Sequence, residues 1–212
     1  PLVLSLFFLL IPYLTAAPVG KYPSLPSKVL SNYKPEIAGD RTSESLVKSA
    51  ATFLSSLNKE LRSQAALPYD SAEKSKWTNV PPRGPQGGVR LGDLNQSQIK
   101  AALNLLSTVL SEQGYQKAIN IPLADDRLLR NGERRPGFGA EDYWLAIFGK
   151  PSTKKPWGLQ FDGHHIAINL AFHFIHFLPT SQEGAPLEDY EFIRRTTCLL
   201  YTSDAADEGL GV

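Results

Sequence analysis

After Arg135-Pro136-Gly137 the hydrophobic period of the chain changes, and this change restricts the available folds more than any other feature. Upstream, apolar residues recur at three- and four-residue steps, the pattern of a helix with one buried face. Leu46, Ala50, Phe53, Leu57, Leu61 and Ala65 form one stripe, capped at Thr42 or Ser43 and ended by Pro68. Ile99, Ala102, Leu103, Leu106, Val109 and Leu110 form a second, with Asn95 and Gln98 spaced as a capping box and Gly114 as the stop. Ala118, Ile119, Leu123, Leu128 and Leu129 supply a third over residues 115–130, kinked at Pro122 and closed by Gly132. Downstream, Tyr143–Phe148 is aromatic and β-branched, hence a strand. Residues 157–161 and 164–172 read as two more strands, joined tightly at Asp162-Gly163. Consecutive strands with short links form an antiparallel sheet most simply. The predicted architecture is therefore α+β, with three N-terminal helices packed on a small, mainly antiparallel sheet near the C-terminus.

Composition narrows the function classes. Of the 212 residues, 42% are hydrophobic and 20% charged, which is enough for a packed core. A formal charge of +1 gives no footprint for nucleic acid. A single Cys excludes a disulfide framework and a cysteine-based zinc site. Residues 2–14 are uncharged and almost wholly apolar, and Thr15-Ala16-Ala17 follows them. That run is shorter than the roughly 20 residues a membrane span needs. It reads as the core of a secretory signal over residues 1–17, its start missing because the chain has no Met. The expected product is secreted or periplasmic, with no stable membrane span after cleavage. Residues 18–43, rich in Pro and Ser, read as an irregular linker. Residues 198–212, beginning CLLYTSDAADE, resemble translated read-through of a sequencing adapter, which leaves 44–197 as the domain proper.

Several familiar chemistries find no support. The loop WTNVPPRGPQGGVRLG is glycine-rich, but it lacks the Lys-Ser/Thr of a phosphate-binding loop and the strand before it. No Gly-x-Ser-x-Gly elbow is present. Glu133, Glu141 and Asp142 lie in or beside a loop and read as solvated rather than as paired glycosidase acids. Asn95-Gln96-Ser97 is a glycosylation sequon, but the capping role competes for the same side chain and is favoured.

The most informative stretch is Pro156-Trp157-Gly158-Leu159-Gln160-Phe161-Asp162-Gly163-His164-His165, preceded by Ile147-Phe148-Gly149-Lys150-Pro151-Ser152. Together with Ala51–Leu57 and LGDLNQSQIKAALNLLSTVLSEQGY, it resembles the signature of the domain of unknown function 3500 family over roughly residues 44–170. Leu159 stands where the family usually has a second Trp, and the pattern departs beyond Leu170. The resemblance implies an exported protein. It also implies that this chain holds the first half of a domain whose second half repeats the layout. It supplies no established activity.

On a strand, His164 would share a face with Ile166, Ile168 and Leu170, and His165 with Ala167 and Asn169. Diverging in this way, the two histidines could not hold one metal together, and Asp162 or Glu141 would have to converge on them. The leading expectation is an exported, metal-assisted hydrolase. In it His165 acts as general base or ligand to a divalent metal, and His164 is a second catalytic candidate. Trp157, Phe161, Asn169 and Asp162 would bind a small-molecule or polymer ligand. The alternative is a non-catalytic secreted binding or structural module in which these histidines and aromatics belong to the core.

Overall fold

The computed structural model describes residues 23–35, 42–77, 80–82, 86–130 and 137–172. Five α-helices precede the main strands, so the chain is α+β as read, with two helices beyond the three expected. The stretch taken for a linker holds α1 (Leu25–Asn32), started by Pro26 in its first turn and by the Ser24 side chain accepting from Ser27 N–H. The first apolar stripe is two helices, α2 (Ser43–Ser56) and α3 (Lys59–Ala65). The break falls at Asn58, whose side chain accepts from Leu61 N–H and starts a new helix. Helix α4 (Gln96–Val109) carries the expected capping box between Asn95 and Gln98. Helix α5 (Glu112–Arg130) runs on through Pro122. The signal segment, Gly132 and the tail lie outside the described residues. Among those described, no helix is long and apolar enough to cross a membrane.

The sheet has five strands. β3 (Tyr143–Phe148), β4 (Trp157–Gly163) and β5 (Ile166–Phe172) form an antiparallel meander. Two short strands share the outer edge of β3. β1 (Ala66–Leu67) pairs parallel to it and β2 (Val89–Arg90) antiparallel, so the sheet is mixed rather than purely antiparallel. Neither two-residue strand is long enough to show a sequence period.

Alternation sorts the side chains onto two faces. Tyr143, Leu145 and Ile147, Trp157, Leu159 and Phe161, and Ile166, Ile168 and Leu170 join the core built with the helices. The register aligns them in rows, Leu145 beside Phe161 beside Ile168 and Ile147 beside Leu159 beside Leu170. The opposite face carries Ala146, Gln160 and Asn169 in one row and Phe148, Gly158 and Ala171 in the next.

The histidines are not where the alternating pattern put them. β4 continues through Asp162 and Gly163, Gly163 pairs with Ile166, and His164-His165 are the two residues of the hairpin turn. The expected turn at Asp162-Gly163 is therefore displaced by two residues. His165 takes the turn's left-handed backbone position, φ 68°.

Candidate functional site

The turn delivers His164 into the interior. Its side chain, 1% exposed, meets Asp125 from α5, with Nδ1 and the carboxylate Oδ1 2.8 Å apart. The second carboxylate oxygen, Oδ2, accepts a hydrogen bond from Gly139 N–H at 2.9 Å. Tyr143 on β3 donates its phenol to the His164 carbonyl at 2.6 Å and lies 3.4 Å from Asp125 Oδ2. Phe138 tilts against the imidazole, centroids 4.4 Å apart, and the His165 ring stacks on it at 3.6 Å. Three elements thus meet at one residue: α5 supplies the carboxylate that holds the ring, β3 the phenol that holds the His164 carbonyl, and the β4–β5 turn the histidine itself. Gly139 makes the arrangement possible. Its φ of +102° is a backbone conformation that a residue with a side chain rarely adopts, and it sets the N–H toward Asp125.

The arrangement has one chemical consequence. In the neutral tautomer with its proton on Nδ1, facing the carboxylate, the lone pair of His164 lies on Nε2. Nε2 is buried and, among the described residues, has no hydrogen-bond partner. A carboxylate that orients an imidazole and leaves its far nitrogen available is the arrangement used to prepare a base or a ligand.

Tyr143 gives the site a pH signature. Burial, reinforced by the nearby Asp125 charge, holds its phenol well above the ordinary value of 10. An unfolded tyrosine loses its proton near pH 10. The folded state keeps that proton, so stability is intact below about pH 10 and falls as the pH rises beyond it. Replacing Tyr143 with Phe should cost about 1 kcal/mol at neutral pH, the worth of one hydrogen bond. It should also flatten the alkaline fall in melting temperature. An alkaline limb that Tyr143→Phe leaves untouched would refute the assignment.

The other sequence candidates separate from this centre. Trp157 and Phe161 are fully buried on the helix-side face, Trp157 against Phe172 at 4.4 Å between centroids; they are core and offer no face to a ligand. Asp162 is buried and Asn169 half-buried on the opposite face of the sheet, where Asn169 accepts from Gln160 at 2.5 Å. His165 lies in the β4–β5 turn and Asn169 within β5. Glu141 and Asp142 are engaged by Arg90, whose Nε lies 2.6 Å from Asp142 and whose Nη2 lies 3.4 Å from Glu141. Metal binding fares no better. Among the described residues, no three of His, Cys, Asp and Glu converge on a point, and Asp125 spends its oxygens on Nδ1 and Gly139. The donors around His164 fall short of the three or four converging ligands that a metal ion needs.

Sequence reasoning missed Asp125. A signal existed: Tyr115, Ala118, Ile119 and Pro122 are the buried stripe of α5, and its next steps are Asp125 and Asp126, both sequestered. Carboxylates that continue an apolar stripe need partners. Asp126 has one in Ser27 of α1, whose Oγ donates at 2.9 Å.

Comparison with known proteins adds one finding. A family model described as protein of unknown function (DUF3500) matches residues 39–181, more than half of the chain. No curated protein and no solved structure matches it.

Proposed function

The chain belongs to the DUF3500 family, and from that premise we propose that it is an exported hydrolase in which His164, oriented by Asp125, is the general base. The observation that carries the reading is the buried, unpartnered Nε2 of His164. Leaving a buried polar atom unpaired costs about 1–3 kcal/mol. An unsatisfied buried atom in a native structure calls for an explanation, and a catalytic role is one. In this scheme Nε2 takes a proton from the attacking water, and Asp125 stabilises the imidazolium that results. The apolar run at residues 2–14 supports export.

A second reading rests on a different observation. His164 and Asp125 are each only 1% exposed, so the pair also pins α5 to the β4–β5 hairpin. On that account the chain is a non-catalytic secreted module, and the dyad is a staple.

His164→Asn separates the two. The Asn amide nitrogen stands where Nδ1 stood and can still donate to Asp125, but nothing replaces Nε2. Hydrolysis of a set of nitrophenyl esters, glycosides and phosphates is measured beside the melting curve. A catalytic His164 requires that the wild type turn over at least one probe and that His164→Asn abolish this while melting like the wild type. If no probe is turned over, or if turnover survives the substitution, the hydrolase reading falls and the staple stands.

A further inference from the structure

We propose that the sheet face turned away from the helices carries a binding site, separate from the histidine centre, for a six-membered ring bearing a carboxylate. A cavity of about 250 Å³ opens there, walled by Tyr69, Trp77 and Phe148 and floored by Gly158 and Ala171. Its size lies below the roughly 300–1,000 Å³ of pockets that take drug-sized ligands, so it holds a single ring. The floor is flat for a stated reason. Phe148, Gly158 and Ala171 are cross-strand neighbours, and the two small residues leave empty the space that larger side chains would fill. A Cβ at Gly158 would lie 3.0 Å from the Leu170 carbonyl, a tight contact that also favours a residue without a side chain there.

The polar groups in this cavity decide the ligand's charge. Lys74 rises from a short 3-10 turn (Ala72–Ser75), with its ammonium 4.1 Å from the centroid of Tyr69 and 6.0 Å from that of Phe148. Among the described residues no carboxylate pairs with it. Gln160 fixes the other donor. Its amide nitrogen donates to the Lys74 carbonyl at 3.1 Å and to Asn169 Oδ1 at 2.5 Å. That bond occupies the Asn169 oxygen and leaves the Asn169 amide nitrogen as a donor lining the cavity. One cation and one amide donor beside aromatic walls select an acceptor-rich, anionic group on a body with a flat apolar face. Aryl carboxylates and uronic acids share that chemistry.

The test is calorimetric titration of the full chain with benzoate, glucuronate and the neutral isostere benzamide. At least one carboxylate should saturate below about 10 mM, and benzamide should give no saturable heat. Benzoate alone identifies an aryl ligand and glucuronate alone a sugar acid. Lys74→Gln should weaken the carboxylate by about tenfold, the worth of a charge-assisted hydrogen bond. Ala171→Leu, which fills the floor from an exposed position and keeps Lys74, should weaken it comparably without changing the melting temperature. The proposal is overturned if neither carboxylate saturates, if benzamide binds equally well, or if both variants bind like the wild type.

Discussion

Asp125→Ala should lower the unfolding free energy by about 2–5 kcal/mol, because two buried donors lose their acceptor at about 1–3 kcal/mol each. The substitution removes only a carboxylate, but it leaves the His164 Nδ1 proton and the Gly139 N–H without acceptors in a buried site. Tyr143 suffers less, because its main bond is to the His164 carbonyl. Asp125→Asn is the informative control. An amide can still accept from Gly139 with its oxygen while its nitrogen faces His164, which obliges the ring to accept at Nδ1 and carry its proton on Nε2. Stability should therefore fall by less than half as much as in the Ala variant, while the lone pair moves away from the nitrogen assigned to catalysis. Denaturant midpoints give the energies, and imidazole nitrogen chemical shifts give the tautomer. If Asp125→Ala stays within about 1 kcal/mol of the wild type, the pair is not the keystone of this region.

The same residues show what a sequence reader can see here. The change of period at residue 136 sorts the chain into helices and sheet because burial on one face imposes that period directly. The capping box at Asn95 is legible because both partners lie within one turn. Helix α1 escapes notice because eight residues span barely two turns, and what fixes it is tertiary: Val29 and Leu30 enter the core, and Ser27 reaches Asp126 from ninety-nine residues away. The histidines were found but misplaced. Nothing within Asp162-Gly163-His164-His165 says which pair turns, and Gly163 favours the earlier choice. The register of β4 against β5 decides it, and register follows from seating Ile166, Ile168 and Leu170 on the helices. A two-residue displacement preserves the alternation of side chains, so Ile166, Ile168 and Leu170 still share one face while His164 and His165 leave the strand for the turn.

That displacement gives His165 a conformation with a measurable cost. A left-handed backbone is unfavourable for a residue with a Cβ by about 1–2 kcal/mol, and glycine takes it freely. Here the second turn residue is His at φ 68°, with its ring stacked 3.6 Å from that of His164. Two substitutions separate the strain from the stack. Ala keeps the strain and loses the stack; Gly loses both. His165→Gly should therefore be more stable than His165→Ala by about 1–2 kcal/mol. It should also approach the wild type, because the relieved strain offsets the lost ring contact of about 0.5–1.5 kcal/mol. Denaturation of the three proteins side by side measures both differences. Equal stability of the Gly and Ala variants would mean that the turn is unstrained and His165 an ordinary turn residue. The expected gap would mean that the fold holds an unfavourable conformation for a side chain that glycine could replace without loss of stability. Strain of this kind persists where the side chain has a use, and the use compatible with the geometry is to cover the imidazole whose Nε2 has no partner. His165→Gly then becomes the variant that keeps the fold while altering the centre, the combination a purely structural histidine pair would not produce.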